Sequence, residues 1–264
     1  MSSTFDDQLA KGISQLEAGE VAEATALFRR CTEMEPGNPE GHFNLGDALA
    51  ADEKPEEAIA AYEKGLAIAP EDTQALTALG DVYFELGRHK DALARYRKVS
   101  EIDPKDPDSY VNIGLVYNAM ERSDDAIKAY NAALELDPSN VFAYNALGDA
   151  LYGLGKRDEA VEAFRKGIEI DPNDAAAHFN LGELYYDLGE FENAEKECLE
   201  AVRLDPHFTL AYLTLGSICM DGERVKDAIK YLQLYLKMET SPQAAEMVAE
   251  VKAVLEGLKA EAEG

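Results

Sequence analysis

His42 and His178 open the same string in this chain, His-Phe-Asn-Leu-Gly followed by Asp or Glu, and a recurring imidazole is a natural first candidate for a metal ligand. Neither string has another His or a Cys at ligand spacing, and His89 and His207 stand in or beside turns with no cluster around them. Residues 103–108 read DPKDPD, a run of carboxylates that suggests calcium, but it lacks the glycine and the closing glutamate of a helix-loop-helix calcium site. Cys31, Cys198 and Cys219 are scattered, which fits neither a disulfide framework nor a zinc site; they read as buried thiols. No Ser, His and Asp set has a context for nucleophilic catalysis. The sequence argues against an enzyme and gives no reason to expect a metal or cofactor.

The chemistry that remains is charge. Asp and Glu number 52 against 25 Lys and Arg, a net charge of −27 over 264 residues. That balance disfavours nucleic acid and anionic membrane surfaces, because both need Lys or Arg to displace counterions. No run approaches the roughly 18 apolar residues of a membrane span, and the opening MSSTFDDQ has neither the basic stretch nor the apolar run of an export signal. The expected compartment is the cytosol.

A strict period positions all of these residues. Gly12, Gly46, Gly80, Gly114, Gly148, Gly182 and Gly216 recur every 34 residues, as do Ala24, Ala58, Ala92, Ala126, Ala160, Ala194 and Ala228, and Pro36, Pro70, Pro104, Pro138, Pro172, Pro206 and Pro242. A period of this size means a stacked array of small units. The seven copies run 5–38, 39–72, 73–106, 107–140, 141–174, 175–208 and 209–242, with 1–4 a tail and 243–264 a terminal helix. An array makes contacts only between near neighbours, so the expectation is one elongated domain.

Each copy predicts two amphipathic helices. In 141–174, Tyr144, Leu147, Leu151 and Leu154 recur at three and four to make one buried stripe. After Gly155, Ala160, Val161, Phe164, Ile168 and Ile170 make a second, closed by Asp171-Pro172. The periodic glycines lie inside helices, so they serve close packing and do not cradle phosphate. Copy position 24 holds Phe28, Tyr62, Tyr96, Tyr130, Phe164, Cys198 and Leu232, mostly bulky groups suited to a neighbouring helix groove. At one end Gln8, Lys11 and Gln15 predict a polar first face; at the other, Ala244, Met247, Val251, Val254 and Leu258 predict the packing stripe of a solvating helix begun by Ser241-Pro242. His42 and His178 lie four copies apart, so at a rise of about 10 Å per copy they cannot share a metal with bonds near ~2 Å.

The joint spacing of Leu-Gly, Tyr or Leu, Ala, an aromatic and Pro over residues 5–242 resembles the tetratricopeptide repeat family. The resemblance implies an all-α, right-handed superhelical solenoid of antiparallel helix pairs with a C-terminal capping helix. First helices would line a concave groove that binds peptides or proteins, with positions 2, 5, 9, 12 and 13 facing it. On this chain those positions include Phe142, Phe43, Phe179, Asp47, Asp81, Asp149, Glu183, Phe84, Tyr152, Tyr186, Glu17, Glu85, Asp187 and Asp221. Asn44, Asn112 and Asn180 hold position 6, where family members grip an extended backbone, and Asn145 is a further candidate for the same work. Across the first helices there are 13 acids and a single base, Lys11.

The family's carboxylate clamp, which grips acidic chaperone C-termini, finds Leu9, Ile13, Asn44, Gln74 and Ala78 at its places, and only Asn44 fits. The expected partner is therefore a basic or amphipathic segment of another protein and not an acidic chaperone C-terminus. Aromatic burial contributes about 1.5–3 kcal/mol per ring and an exposed ion pair about 0.2–1 kcal/mol, so rings would set affinity and carboxylates the sign of the guest. The competing expectation is a scaffold that assembles with itself, through its ends or by groove insertion.

Overall fold

The computed structural model describes residues 4–263, and every regular element among them is helical. Apart from Thr4, the expected N-terminal tail lies outside the described residues. In chain order the helices are α1 (Phe5–Glu17), α2 (Val21–Met34), α3 (Pro39–Ala51), α4 (Pro55–Ile68), α5 (Thr73–Glu85), α6 (His89–Ile102), α7 (Pro107–Ala119) and α8 (Ser123–Leu136). They continue with α9 (Val141–Gly153), α10 (Arg157–Ile170), α11 (Ala175–Asp187), α12 (Phe191–Leu204), α13 (Thr209–Asp221), α14 (Val225–Met238) and, after a 3-10 turn at Pro242–Ala244, α15 (Ala245–Glu263).

The two helices of a repeat begin by different means. The first helices of six repeats are capped by side chains: Thr4 and Asp7 form a capping box, and Asn38, Asp72, Asp106, Asn140 and Asp174 each accept from a first-turn N–H, while α13 follows Phe208 without one. The acids of the DPKDPD turn are engaged in this way, with Asp103 accepting from Lys105 N and Asp106 from Asp108 N and Ser109 N. Second helices lack side-chain caps and follow a turn with one left-handed residue. That residue is Gly155 before α10, but Glu53, Glu121 and Glu223 hold the same place elsewhere at φ 53, 57 and 54. A side chain there costs about 1 kcal/mol, and it is held because the next N–H closes on the carbonyl five residues back, as Lys54 N on Leu49 O at 2.9 Å and Lys156 N on Leu151 O at 3.0 Å.

Contacts divide the chain into a first unit ending at Asp137 and a second beginning at Pro138. In the first unit α1 packs on α2, α3 on α4, α5 on α6 and α7 on α8, and α2, α4 and α6 also pack on α3, α5 and α7. The second unit repeats this with α9 to α14, and α15 lies on α14. First helices of adjacent repeats also touch, α1 with α3 and α3 with α5, then α9 with α11 and α11 with α13. Second helices do not approach one another to that extent, so within each unit the first helices lie on the inside of the curve.

What sets the approach of the two helices is a ring lying on a glycine. A Cβ added to Gly12 would come within 2.5 Å of the Phe28 ring, to Gly46 within 2.7 Å of Tyr62, to Gly80 within 2.6 Å of Tyr96, and to Gly148 within 2.6 Å of Phe164. Gly114 meets Tyr130 in the same way, while Gly182 and Gly216 face Cys198 and Leu232. These position-24 side chains are buried to 3% exposure or less.

Two expected stripes are corrected. Leu154 is 41% exposed because α9 has already ended before it. On α15 the packed residues are Val248, Val251, Leu255 and Leu258, against Tyr212, Leu232 and Tyr235, whereas Met247 and Val254 face solvent. Val251 and Leu258 are common to both stripes, so the packed face is turned by less than one residue from the expected one. At the first repeat Gln8 and Gln15 are half-buried and only Lys11 is fully exposed.

Gly148→Ala is expected to lower unfolding free energy by about 1–3 kcal/mol, the cost of overpacking a rigid ring. Gly257→Ala, in α15 where an added Cβ meets nothing within 4 Å, is expected to raise it by about 0.4–1 kcal/mol. Urea denaturation of both variants checks the pair.

Candidate functional site

In the first unit, the inner face is organised by tyrosines reaching over glycines. Tyr62 Oη donates to Asp47 Oδ1 at 2.6 Å, and one repeat on Tyr96 Oη donates to Asp81 Oδ1 at 2.6 Å. Burial holds the Asp47 carboxyl above its ordinary range, with the Tyr62 hydrogen bond opposing the shift. The Tyr62 and Tyr96 hydroxyls are pushed well up, first by burial and then by the carboxylates they face. Asp81, Phe84, Glu85, Tyr96, Asn112 and Leu115 together line a depression of about 210 Å³. Phe84 is half-buried there, its ring 5.7 Å from that of His89.

In the second unit, the same face has two ladders between repeats. Tyr152 donates to Asp187, and Tyr186 Oη donates to Asp221 Oδ2 at 2.8 Å. Closer to the middle, Asn180 Nδ2 approaches Asp149 Oδ1 at 3.5 Å, and Thr214 Oγ1 donates to Glu183 Oε1 at 3.2 Å. The repeat holding Asp149 carries Phe164 at the ring position, so no tyrosine hydroxyl reaches this carboxylate. Burial alone pushes Asp149 up to about 6. Glu183 is raised by the same cause, with Thr214 opposing. Among the described residues, no Lys or Arg forms an ion pair with Asp47, Asp81, Asp149, Glu183, Asp187 or Asp221.

Four expected groove residues are placed otherwise. Phe179 is only 6% exposed and packs in the core with Ala201, Ala211 and Phe208, its ring 4.9 Å from that of Phe208. Phe43 lies against Gly65. Asn145 donates to Asp174 Oδ2 at 2.8 Å, with its carbonyl oxygen 3.0 Å from where a Gly167 Cβ would stand. One cause covers all three: copy position 5 points toward position 27 of its own second helix, and a small residue there, Gly65, Gly167 or Ala201, admits it. Asn44 donates back to the Glu40 carbonyl of its own helix at 2.9 Å. Asn112 and Asn180 remain on the inner face, half-buried. Leu115, Thr214 and the hydroxyls of Tyr62 and Tyr96 belong to that face and were not foreseen, although Tyr-to-Asp spacings one residue longer than the period would have indicated the outer ladder.

The former metal candidate His178 is 7% exposed on the side of the second helices. Its Nδ1 lies 2.7 Å from Glu197 Oε2 and its Nε2 3.3 Å from the Pro172 carbonyl. The hydrogen bond with Glu197 raises the imidazole above its ordinary value and lowers the carboxyl below its own. The three cysteines are buried, and desolvation pushes the Cys198 thiol up to about 12.

Family models described as TPR repeat match residues 80–121, 115–155 and 148–189, and models described as tetratricopeptide repeat match 9–73 and 175–208. The chain belongs to the tetratricopeptide repeat family. Among solved structures, a tetratricopeptide repeat protein from Parabacteroides merdae shares the fold over 97% of this chain and 98% of that one, at TM-score 0.72 and 19% identity. MamA from Desulfovibrio magneticus is 25% identical over 66% of this chain and 98% of that one, at TM-score 0.61. YrrB, described as a TPR protein with an unusual peptide-binding site, is 26% identical over 70% of this chain and 95% of that one, at TM-score 0.55. No curated protein matches the chain. Tetratricopeptide repeat proteins are protein-interaction scaffolds that bind other proteins or peptides and are typically not catalytic. No helix among the described residues of this one is long and apolar enough to cross a membrane.

Two outcomes follow from this electrostatic arrangement. Phe164→Tyr would supply the hydroxyl that Asp47 and Asp81 have, and is expected to move Asp149 down from about 6 toward the ordinary carboxylate range in an NMR titration. Glu197→Gln is expected to cost about 3 kcal/mol at pH 6, since it strips a buried pair of one partner. The raised imidazole contributes stability below its ordinary value and loses it as pH rises through the raised one, so the cost should shrink toward pH 9 in urea titrations. The depressed carboxyl sets the other limit, with the pair weakening as pH falls through that lower value.

Proposed function

We propose that this tetratricopeptide repeat protein is a scaffold that holds a basic or amphipathic segment of a partner protein against the inner faces of its two units, working in the cytosol. Asp149 carries the reading. It is a solvent-facing carboxylate of the inner face, pushed up to about 6 by the helices packed around its base, with no Lys or Arg paired to it and no tyrosine hydroxyl bonded to it. A Lys or Arg of a guest would supply what is missing. Asp81 with Glu85, and Glu183 with Asp187, extend the same sign along each face. Phe84, Phe142, Tyr152 and Tyr186 offer apolar surface between them, and Phe142 is 56% exposed. Asn112 and Asn180 are the asparagines left to meet a guest backbone. The peptide-binding site of the similar YrrB supports the mode in general terms. For self-assembly through the array ends, the outer face of α15 offers only Met247 and Val254, too small a patch to carry that reading.

A labelled peptide alternating Lys and Leu, and its Glu-Leu counterpart, test the proposal by fluorescence polarisation. The Lys peptide is expected to bind at least tenfold tighter than the Glu peptide, and to weaken about tenfold from 50 to 500 mM salt. Asp81→Asn combined with Asp149→Asn and Glu183→Gln should weaken it to a similar degree. Binding needs the ionised carboxylate, so affinity should drop as pH falls from 7.5 through about 6. Binding indifferent to salt and to these substitutions would remove the electrostatic basis of the proposal.

A further inference from the structure

The opposite side of each unit holds a cavity that the inner-face reading does not use. In the second unit a cavity of about 300 Å³ opens between α10 and α12 over α11, lined by Arg165, His178, Tyr185, Asn193, Lys196 and Glu197 among others. In the first unit one of about 260 Å³ opens between α2 and α4 over α3, with Arg29, His42, Glu57 and Lys64 on its walls. Arg29 and Arg165 are one repeat position, as are His42 and His178, and as are Glu33 and Glu169, which also line the two cavities. No other pair of adjacent repeats combines this Arg, Glu and His. The two histidines that began as metal candidates therefore lie, with Leu45 and Leu181, on the floors of two related cavities.

The twins share Arg, Glu, His and Leu but differ elsewhere: Thr32, Leu49, Glu57, Ala60 and Ala61 line the first where Ile168, Tyr185, Asn193, Lys196 and Glu197 line the second, and Lys64 supplies the first cavity's lysine from another position. In the first unit, Glu57 reaches across the mouth and pairs with Arg29 at 2.7 Å. In the second, the same place is Asn193, and the Arg165 guanidinium rests on Tyr185, donating to its Oη at 2.6 Å, with Glu162 at 3.6 Å. Of the acids lining this cavity, Glu169 is drawn to Lys166 at 3.0 Å, and Glu197 is shared between His178 at 2.7 Å and Lys196 at 3.0 Å. Arg165 and Lys196 have side chains 52% and 78% exposed, so both can turn to a guest. Leu181 and Ile168 supply apolar wall. The volume lies at the bottom of the range for small-molecule sites, which suits one side chain better than a whole cofactor.

We infer that the outer cavity of the second unit is a second binding site, which takes a carboxylate side chain of an acidic, apolar-flanked peptide between Arg165 and Lys196, and that the first-unit twin is closed by its own Glu57. The site is independent of the inner face and takes a guest of opposite sign. Screening confines the repulsion of the chain's overall negative charge to roughly 8–10 Å at physiological salt, so the nearest cations decide.

The test uses the full chain labelled with [15N]histidine, titrated with N-acetyl-Leu-Glu-Leu-amide, its Gln counterpart and inorganic phosphate. The Glu peptide is expected to shift the His178 resonances saturably, with the Gln peptide and phosphate at least fivefold weaker. Asn193→Glu should abolish the response by building the first unit's bridge, while circular dichroism stays unchanged. Glu57→Gln should bring a saturable response to His42. Absence of a saturable His178 shift, equal binding of the Gln peptide or phosphate, or an undiminished response in Asn193→Glu would each overturn the site. A silent His42 in Glu57→Gln would overturn the closing role of Glu57.

Discussion

A ring pressed on a bare helix backbone is the contact from which the rest of this molecule follows. Because Gly148 has no side chain, the Phe164 ring sits where a Cβ would be, and α9 and α10 close to that distance. Five repeats use an aromatic ring this way, and two use the smaller Cys198 and Leu232 at no loss of register. The helix pair so defined buries one stripe of each helix and leaves its outer stripe to the next repeat. This is why the turn before each second helix can force Glu53, Glu121 and Glu223 into left-handed backbone: packing on both sides outweighs a local cost of about 1 kcal/mol.

The same contact governs the electrostatics of the inner face. In two repeats the ring is a tyrosine whose hydroxyl extends past the glycine to the acid of the next position, as Tyr62 meets Asp47 and Tyr96 meets Asp81. Where it is Phe164, the acid keeps its desolvation and loses its donor, and Asp149 rises to about 6. One oxygen atom thus separates a settled carboxylate from one that favours a cation. The charged groups of the outer side are arranged differently: Arg, Lys and Glu pair with one another there, and Arg88, Arg122 and Arg165 lie over Tyr83, Tyr117 and Tyr185. Each unit therefore presents two faces of different chemistry, one acidic and unpaired, the other mixed and largely self-paired.

The two-helix content of each copy and the identity of the family were legible from the chain alone, because Gly, Ala and Pro recur at one step; the ends of α9 and α15 were not. The excess of acids on the first helices was legible too, with Lys11 their single base. Which side chains stand free on the inner face was not. Phe43, Asn145 and Phe179 share a position that family geometry assigns to the groove, yet each turns toward a small residue on its own second helix, Gly65, Gly167 or Ala201. The direction of a side chain depends on the volume left by a partner more than twenty residues away, which a periodic pattern does not encode. Likewise α15 packs the expected Val251 and Leu258 but adds Val248 and Leu255 and leaves Met247 and Val254 exposed, a choice of face made where it lies on α14. Repetition in the sequence determined what elements exist and in what order; tertiary packing decided which atoms face water, and with it the raised carboxyl of Asp149 and the two outer cavities.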